Sequence, residues 1–313
     1  MSAADQDNTS NKQKQGYGIN MRTTCYMILF LTFSCQSVQA DSIYESLTES
    51  DSNYWPADLP ENTIILEDIS YGEFERQKFD VYIPENASSA PVIFLVHGGG
   101  WRLGNKSSNR LLNNKLGRWL PRGFIIISTN YRLLPDTDPL EQANDVALSL
   151  STAQEKASSW GGDPEKFILM GHSAGAHLVS MLTAAPSRYY PTNVRPWLGS
   201  VILDSAALNI VQLMSQRHLP IYDYAFGEDP DYWKKISPYE LLEKSGPPIF
   251  AVCSRKRIDN PCNYHGQFNS KALEMGRTSS LMRLWLTHGE INSQLGKHSD
   301  YTEAVESFIY SLL

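Results

Sequence analysis

Gly171-His172-Ser173-Ala174-Gly175 follows the short apolar run Phe167-Ile168-Leu169-Met170 and leads into Ala176-His177-Leu178-Val179-Ser180-Met181-Leu182. That order reads strand, sharp turn, helix. A G-x-S-x-G sequence in this setting is a nucleophile elbow, in which the serine sits on a strained reversal with its hydroxyl projecting above the sheet. Small flanking residues are needed there, and Gly171 and Gly175 supply the room. The helix that follows turns its positive end toward any negative charge developing at Ser173.

Working outward, apolar runs recur between helical segments. Pro91-Val92-Ile93-Phe94-Leu95-Val96 is continuous and apolar, as in a strand buried on both faces. Phe124 to Ser128, Leu198 to Asp204, Pro248 to Cys253 and Leu281 to Leu286 read the same way. Lys78 to Pro84 alternates and reads as a half-exposed antiparallel strand beside Thr63 to Leu66. Helices are expected over Asn109–Leu120, from Asp138-Pro139 to near Trp160, over Gln267–Met275 and over Tyr301–Leu313. Asp138 serves as N-cap of the second, with Pro139 at its first position. Strands alternating with helices give an α/β domain: a mostly parallel sheet covered on both faces. Residues 206–242 break the pattern with short amphipathic pieces rich in aromatics, and are expected to form a small cap or lid.

The 313 residues carry a net charge of −7 without a long basic run. That argues against nucleic acid or an anionic membrane surface as the main partner. Residues 1–20 are polar and aperiodic, and are read as a disordered or upstream-start extension. Residues 21–40 carry the features of a signal peptide: Met21-Arg22, a short apolar stretch, then Val38 and Ala40 at the positions a signal peptidase reads. The stretch is too short to span a bilayer. The mature chain is then expected to be secreted or periplasmic, with a lead-in over 41–62 and one domain over 63–313. Two cysteines remain in it, Cys253 and Cys262, which the sequence leaves open as a disulfide or as two free thiols.

A serine hydroxyl needs a base to take its proton and a carboxylate to hold that base. His288, directly after the last expected strand, is the candidate base, with His298 as competitor. His172 and His177 flank the serine in sequence and are expected to pack rather than to act on it. For the acid, Asp259 lies in the loop after strand 248–253, and Asp204, ending the preceding strand, is the runner-up. His97-Gly98-Gly99-Gly100-Trp101 ends a buried strand, where consecutive glycines allow backbone N–H groups close to a reacting atom. Gly99 and Gly100, with Ala174, are the candidate oxyanion donors. The glycine run lacks the lysine-serine or lysine-threonine pair of a phosphate loop, and the sequence suggests neither metal nor cofactor.

Taken together, His97–Trp101, Asn130-Tyr131-Arg132-Leu133-Leu134-Pro135, Gly162-Asp163-Pro164 and the Ser173 turn resemble the α/β-hydrolase fold. Within it they resemble the H-G-G-G esterases and lipases, including hormone-sensitive-lipase-like enzymes and a branch with kynurenine formamidases. The resemblance spans about residues 90–313. It implies a serine hydrolase with an acyl-enzyme, acting on small or medium acyl esters, and carries the nucleophile onto Ser173 and the oxyanion donors onto Gly99 and Gly100. An amidase or arylformamidase using the same residues, and an inactive binding member, are the alternatives. The acid loop departs from the family's G-x-x-D pattern, since it reads Ser254-Arg255-Lys256-Arg257-Ile258-Asp259.

Overall fold

In a computed structural model, residues 59–189 and 193–313 are described. The expected extension, the signal segment and most of the lead-in lie outside them. Eight strands form one sheet in the order β1-β2-β4-β3-β5-β6-β7-β8. They are β1 (Ile64–Ser70), β2 (Lys78–Ile83), β3 (Ala90–Val96), β4 (Ile125–Thr129), β5 (Gly162–His172), β6 (Gly199–Leu203), β7 (Ile249–Ser254) and β8 (Ser279–Leu284). β2 runs antiparallel to β1 and β4, and all other pairs are parallel. This is the sheet of an α/β hydrolase.

The apolar runs explain the layering. Side chains alternate across a strand, so Val92, Phe94 and Val96 of β3 enter one core and Ile93 and Leu95 the other. The first core is closed by α2 (Pro139–Lys156), through Ala143, Val146, Ala147, Leu150 and Ala153, and by α3 (Ala174–Ala184). The second is closed by α1 (Asn109–Trp119), through Leu112, Leu116 and Trp119, with Ile291, Val305 and Ile309 from the C-terminal helices. Asp138 caps α2 as its sequence demands, accepting from Leu140 N–H at 2.9 Å and Glu141 N–H at 3.0 Å.

Residues 206–242 fold as four short helices: α4 (Ile210–Met214), α5 (Pro220–Phe226), α6 (Pro230–Ile236) and α7 (Pro238–Leu241). Two expectations shift. The helix expected from Gln267 begins at Pro261, as α8 (Pro261–Glu274), because proline is favourable at a first helical position. The last strand ends at Leu284 rather than Leu286, and His288 opens a further helix, α9 (His288–Gln294), ahead of α10 (Asp300–Tyr310). Thr287 and Glu290 form a capping box: Glu290 N–H donates to Thr287 Oγ1 at 3.3 Å and Thr287 N–H to Glu290 Oε2 at 2.7 Å. Among the described residues no helix is long and apolar enough to cross a membrane.

Cys253 at the end of β7 and Cys262 in α8 are bonded, with S–S 2.01 Å. The bond closes a loop with a sequence separation of 9. Chain-entropy reasoning for so short a loop predicts that Cys262→Ser lowers stability by about 2–3 kcal/mol. Thermal melting of the variant beside the native chain measures it, and an unchanged Tm refutes it.

Candidate active site

The strand-to-helix turn after β5 is as tight as its sequence requires. Ser173 has φ 57° and ψ −120°, a backbone conformation that L-residues avoid. Its N–H donates to Leu203 O at 2.9 Å, which ties the reversal to the end of β6. Gly175 is required by proximity: a Cβ there would lie 2.3 Å from Val96 O and 2.4 Å from His97 O. The start of α3 therefore rests directly on the end of β3.

His288 closes on this serine from the far end of the chain. Its Nε2 lies 2.9 Å from Ser173 Oγ, and its Nδ1 lies 2.7 Å from Asp204 Oδ2. Asp204 directly follows β6 at φ 56°, and its side chain is fully buried. Its other oxygen, Oδ1, accepts from Ser254 N–H at 2.7 Å. Burial opposes ionisation of Asp204, but Arg257, His288 and the Ser254 N–H outweigh it and hold the carboxyl well below the usual carboxylate range.

Asp259 does not stand against His288, which corrects the first-ranked expectation for the acid. Arg257, two residues earlier on the same loop, fills the space between them. Its Nε donates to Asp259 Oδ1 at 2.9 Å, its second terminal nitrogen pairs with Asp259 Oδ2, and Tyr222 Oη donates to Asp259 Oδ2 at 2.7 Å. The guanidinium's five donors so close in sequence capture both carboxylate oxygens. The runner-up, Asp204, holds the imidazole instead. His298 is elsewhere, with a side chain 86% exposed and paired to Glu303 at 3.3 Å.

The flanking histidines brace the site. His172 lies against His288 with ring centroids 4.4 Å apart and planes inclined by 35°, and its Nε2–H donates to His288 O at 3.0 Å. His177 accepts from Trp101 Nε1–H at 3.1 Å and donates through Nε2 to Ile236 O at 2.8 Å. It thus joins the glycine loop, α3 and α6. Both histidines therefore pack about the site rather than act on the serine, as expected, while the partners of His177, Trp101 and Ile236, are set by the fold.

The glycine loop lies against the serine, since a Cβ on Gly98 would come within 2.9 Å of Ser173 Cβ. Gly99 has φ 125°, and a Cβ there would meet Leu103 O at 2.1 Å. The N–H groups of Gly99 and Gly100 have no acceptor among the described residues. Ala174 N–H, in the first turn of α3, has no intrahelical acceptor. The Asn-Tyr-Arg stretch supports this loop: Tyr131 Oη donates to His97 O at 3.0 Å, and Arg132 forks onto Asp145 at 2.7 and 2.8 Å. Helix α5 covers the loop, with Ile221 Cδ1 2.5 Å from the position of a Cβ on Gly100.

The family model described as BD-FAE matches residues 79–265. The isoprenylcysteine alpha-carbonyl methylesterase of Arabidopsis thaliana is 33% identical over 68% of this chain and 54% of its own length. Kynurenine formamidase of Danio rerio is 29% identical over 49% of this chain and 50% of its own. The chain spans about half or less of the length of the curated relatives it matches. A truncated carbohydrate esterase from gut microbiota has the same fold, with TM-score 0.69 at 18% identity over 81% of this chain and 98% of its own.

Buried neutral imidazoles make the site's scaffold acid-sensitive. Burial holds His97 down at about 3 and His177 and His265 at about 4, against 6.5 for a free histidine. Below pH 6.5 the unfolded chain binds protons that these rings refuse, so stability falls as pH drops from about 6.5 toward 4. At pH 5 each ring contributes about 2 kcal/mol of that loss. His177→Gln is expected to reduce the fall in stability between pH 7 and pH 5 by about that amount. An unchanged fall in denaturant titrations at the two pH values would refute it.

Proposed function

The chain belongs to the BD-FAE family of α/β-hydrolase esterases, and from that premise we propose that it is a serine carboxylic-ester hydrolase working through an acyl-enzyme. One observation carries this function: a single imidazole lies 2.9 Å from a serine hydroxyl and 2.7 Å from a buried carboxylate. Ser173 Oγ attacks the ester carbonyl while His288 Nε2 takes its proton. Asp204 accepts from Nδ1–H, which fixes the tautomer and stabilises the imidazolium. The oxyanion draws on the N–H groups of Ala174, Gly99 and Gly100. His288 then returns the proton to the leaving alcohol, leaving the acyl group on Ser173. Water repeats the attack with His288 as base, and the carboxylic acid leaves.

Small or medium acyl esters are the proposed substrates, since α5 sits directly over the glycine loop. The resemblance to kynurenine formamidase supports, more weakly, an amide-cleaving reaction with the same residues. Action in a secreted or periplasmic setting is supported by the signal-like segment 21–40 and by the bonded cysteines, which persist in oxidising compartments.

A fluorophosphonate probe is expected to label the native chain and not Ser173→Ala; a folded chain that stays unlabelled would instead fit a binding protein. Hydrolysis of p-nitrophenyl acetate is expected to exceed that of N-formylkynurenine, and the reverse order favours the amidase. Asp204→Asn is expected to lower kcat about 10⁴-fold, and Asp259→Asn far less; the opposite ranking would restore Asp259 as the acid. Gly99→Ala, forced against Leu103 O, is expected to lower kcat by about 10²–10³ through displacement of its N–H. Unchanged turnover would remove Gly99 from the oxyanion donors.

A further inference from the structure

Arg257 is a cation set against the carboxylate and imidazole of the site, where it has two ways to do harm. Its Nη1 lies 3.0 Å from His288 Nδ1, 3.2 Å from Asp204 Oδ2 and 2.7 Å from Asp204 O. A guanidinium can only donate. Bonded to Nδ1, it would demand a bare Nδ1 and move the imidazole proton to Nε2, facing Ser173. The ring could not then take the serine proton. As a charge, it also repels the imidazolium that forms in the reaction.

Asp259 and Tyr222 account for why neither effect dominates. Asp259 holds the opposite edge of the guanidinium through Nε and the second terminal nitrogen, with Tyr222 Oη closing on the same carboxylate. Only Nη1 is left facing the triad; its shortest contact is to Asp204 O at 2.7 Å, and the shortest contact of His288 Nδ1 is to Asp204 Oδ2, also 2.7 Å, so the 3.0 Å approach of Nη1 to Nδ1 is longer than either. Asp259 also cancels the guanidinium's charge within the same buried cluster; the Arg257 and Asp259 side chains are 17% and 6% exposed. The Cys253–Cys262 bond brackets the loop that carries both residues.

We propose that Arg257 and Asp259 are a positioning pair, in which Asp259 turns and neutralises the guanidinium so that Arg257 anchors Asp204 without taking the Nδ1 position of His288. This rests on the serine hydrolase function proposed above. The other titratable and charged groups about the triad are His172 on β5, which lies against His288 and also feels Lys115 on α1, Glu290 on the helix of His288 with Lys256 beside it, and His265 on α8 and Tyr301 on α10, which face Asp204. All remain in place in the variants below.

The pair predicts opposite displacements of the acidic limb of the kcat/KM pH profile. Arg257→Gln removes a cation, stabilises the protonated imidazole and moves the limb to higher pH, by about one unit. Asp259→Asn leaves the cation uncompensated and moves the limb to lower pH by a smaller amount, with lower kcat/KM at its plateau. The double variant removes both charges; its limb returns toward the native position and its plateau exceeds that of Asp259→Asn alone. A merely structural role predicts losses that add and limbs that do not diverge.

Single variants shifting the limb in the same direction, or a double variant no better than Asp259→Asn, would overturn the pair. Should Arg257→Gln fail to fold, Arg257→Lys keeps the charge and loses the fork: its limb is expected to stay near the native one with a reduced plateau. A limb moved to higher pH in that variant also overturns the inference. Fluorophosphonate labelling is run on every variant. An unlabelled native chain overturns the hydrolase function and this inference with it, whereas a labelled chain with unmoved limbs overturns this inference alone.

Discussion

The contact of Gly175 with the carbonyls of Val96 and His97 is the constraint on which the molecule depends. It lets α3 begin on top of β3, so the chain can reverse within a single residue at Ser173. The reversal in turn donates Ser173 N–H to Leu203 O. Three strand ends, β3, β5 and β6, are thereby fixed relative to one another. The glycine loop leaves from the first, the serine from the second and Asp204 from the third. Placing reactive groups at the carboxyl ends of parallel strands is a general property of such sheets, but here the register comes from one missing Cβ.

Histidines carry much of the remaining order. His97 stacks on Tyr131 at 4.4 Å, His177 links Trp101 to α6, and His172 lies on His288. Each braces through a ring that must stay neutral in a buried place, because a second ring proton would have no acceptor. The same burial that makes these rings rigid struts makes them intolerant of acid. His288 differs in facing a carboxylate on one side and the serine on the other. Stability and reactivity thus draw on one residue type in two environments.

Much of this was legible in the sequence because it depends on local chemistry. Continuous apolar runs give strands buried on both faces, and Val92 to Val96 is short and rich in β-branched residues, as such a strand is. The Asp138-Pro139 start of α2 and the small residues around Ser173 are equally local. The start of α9 was also written out, as Thr287-His288-Gly289-Glu290, yet the apolar Trp285-Leu286 drew the strand reading two residues too far. What could not be read were distances between loops. Asp204 and Asp259 both follow parallel strands, and sequence order cannot tell which carboxylate an imidazole will meet. The arginine between them decided it, and an arginine near an aspartate in sequence resembles any surface pair.

That arginine changes how the acid position should be understood. A carboxylate is held at His288 by the strand before the expected one, while the expected loop contributes a cation with its own counterion. The cluster Asp204, Arg257 and Asp259 carries one net negative charge, the same as a lone carboxylate, but distributes it over two loops joined by the guanidinium. Moving the acid to β6 therefore does not leave the β7 loop idle. It converts that loop from the source of the charge into the frame that holds the charge still. Tyr222 extends the frame to α5, so the helix over the glycine loop and the carboxylate under His288 belong to one hydrogen-bonded unit.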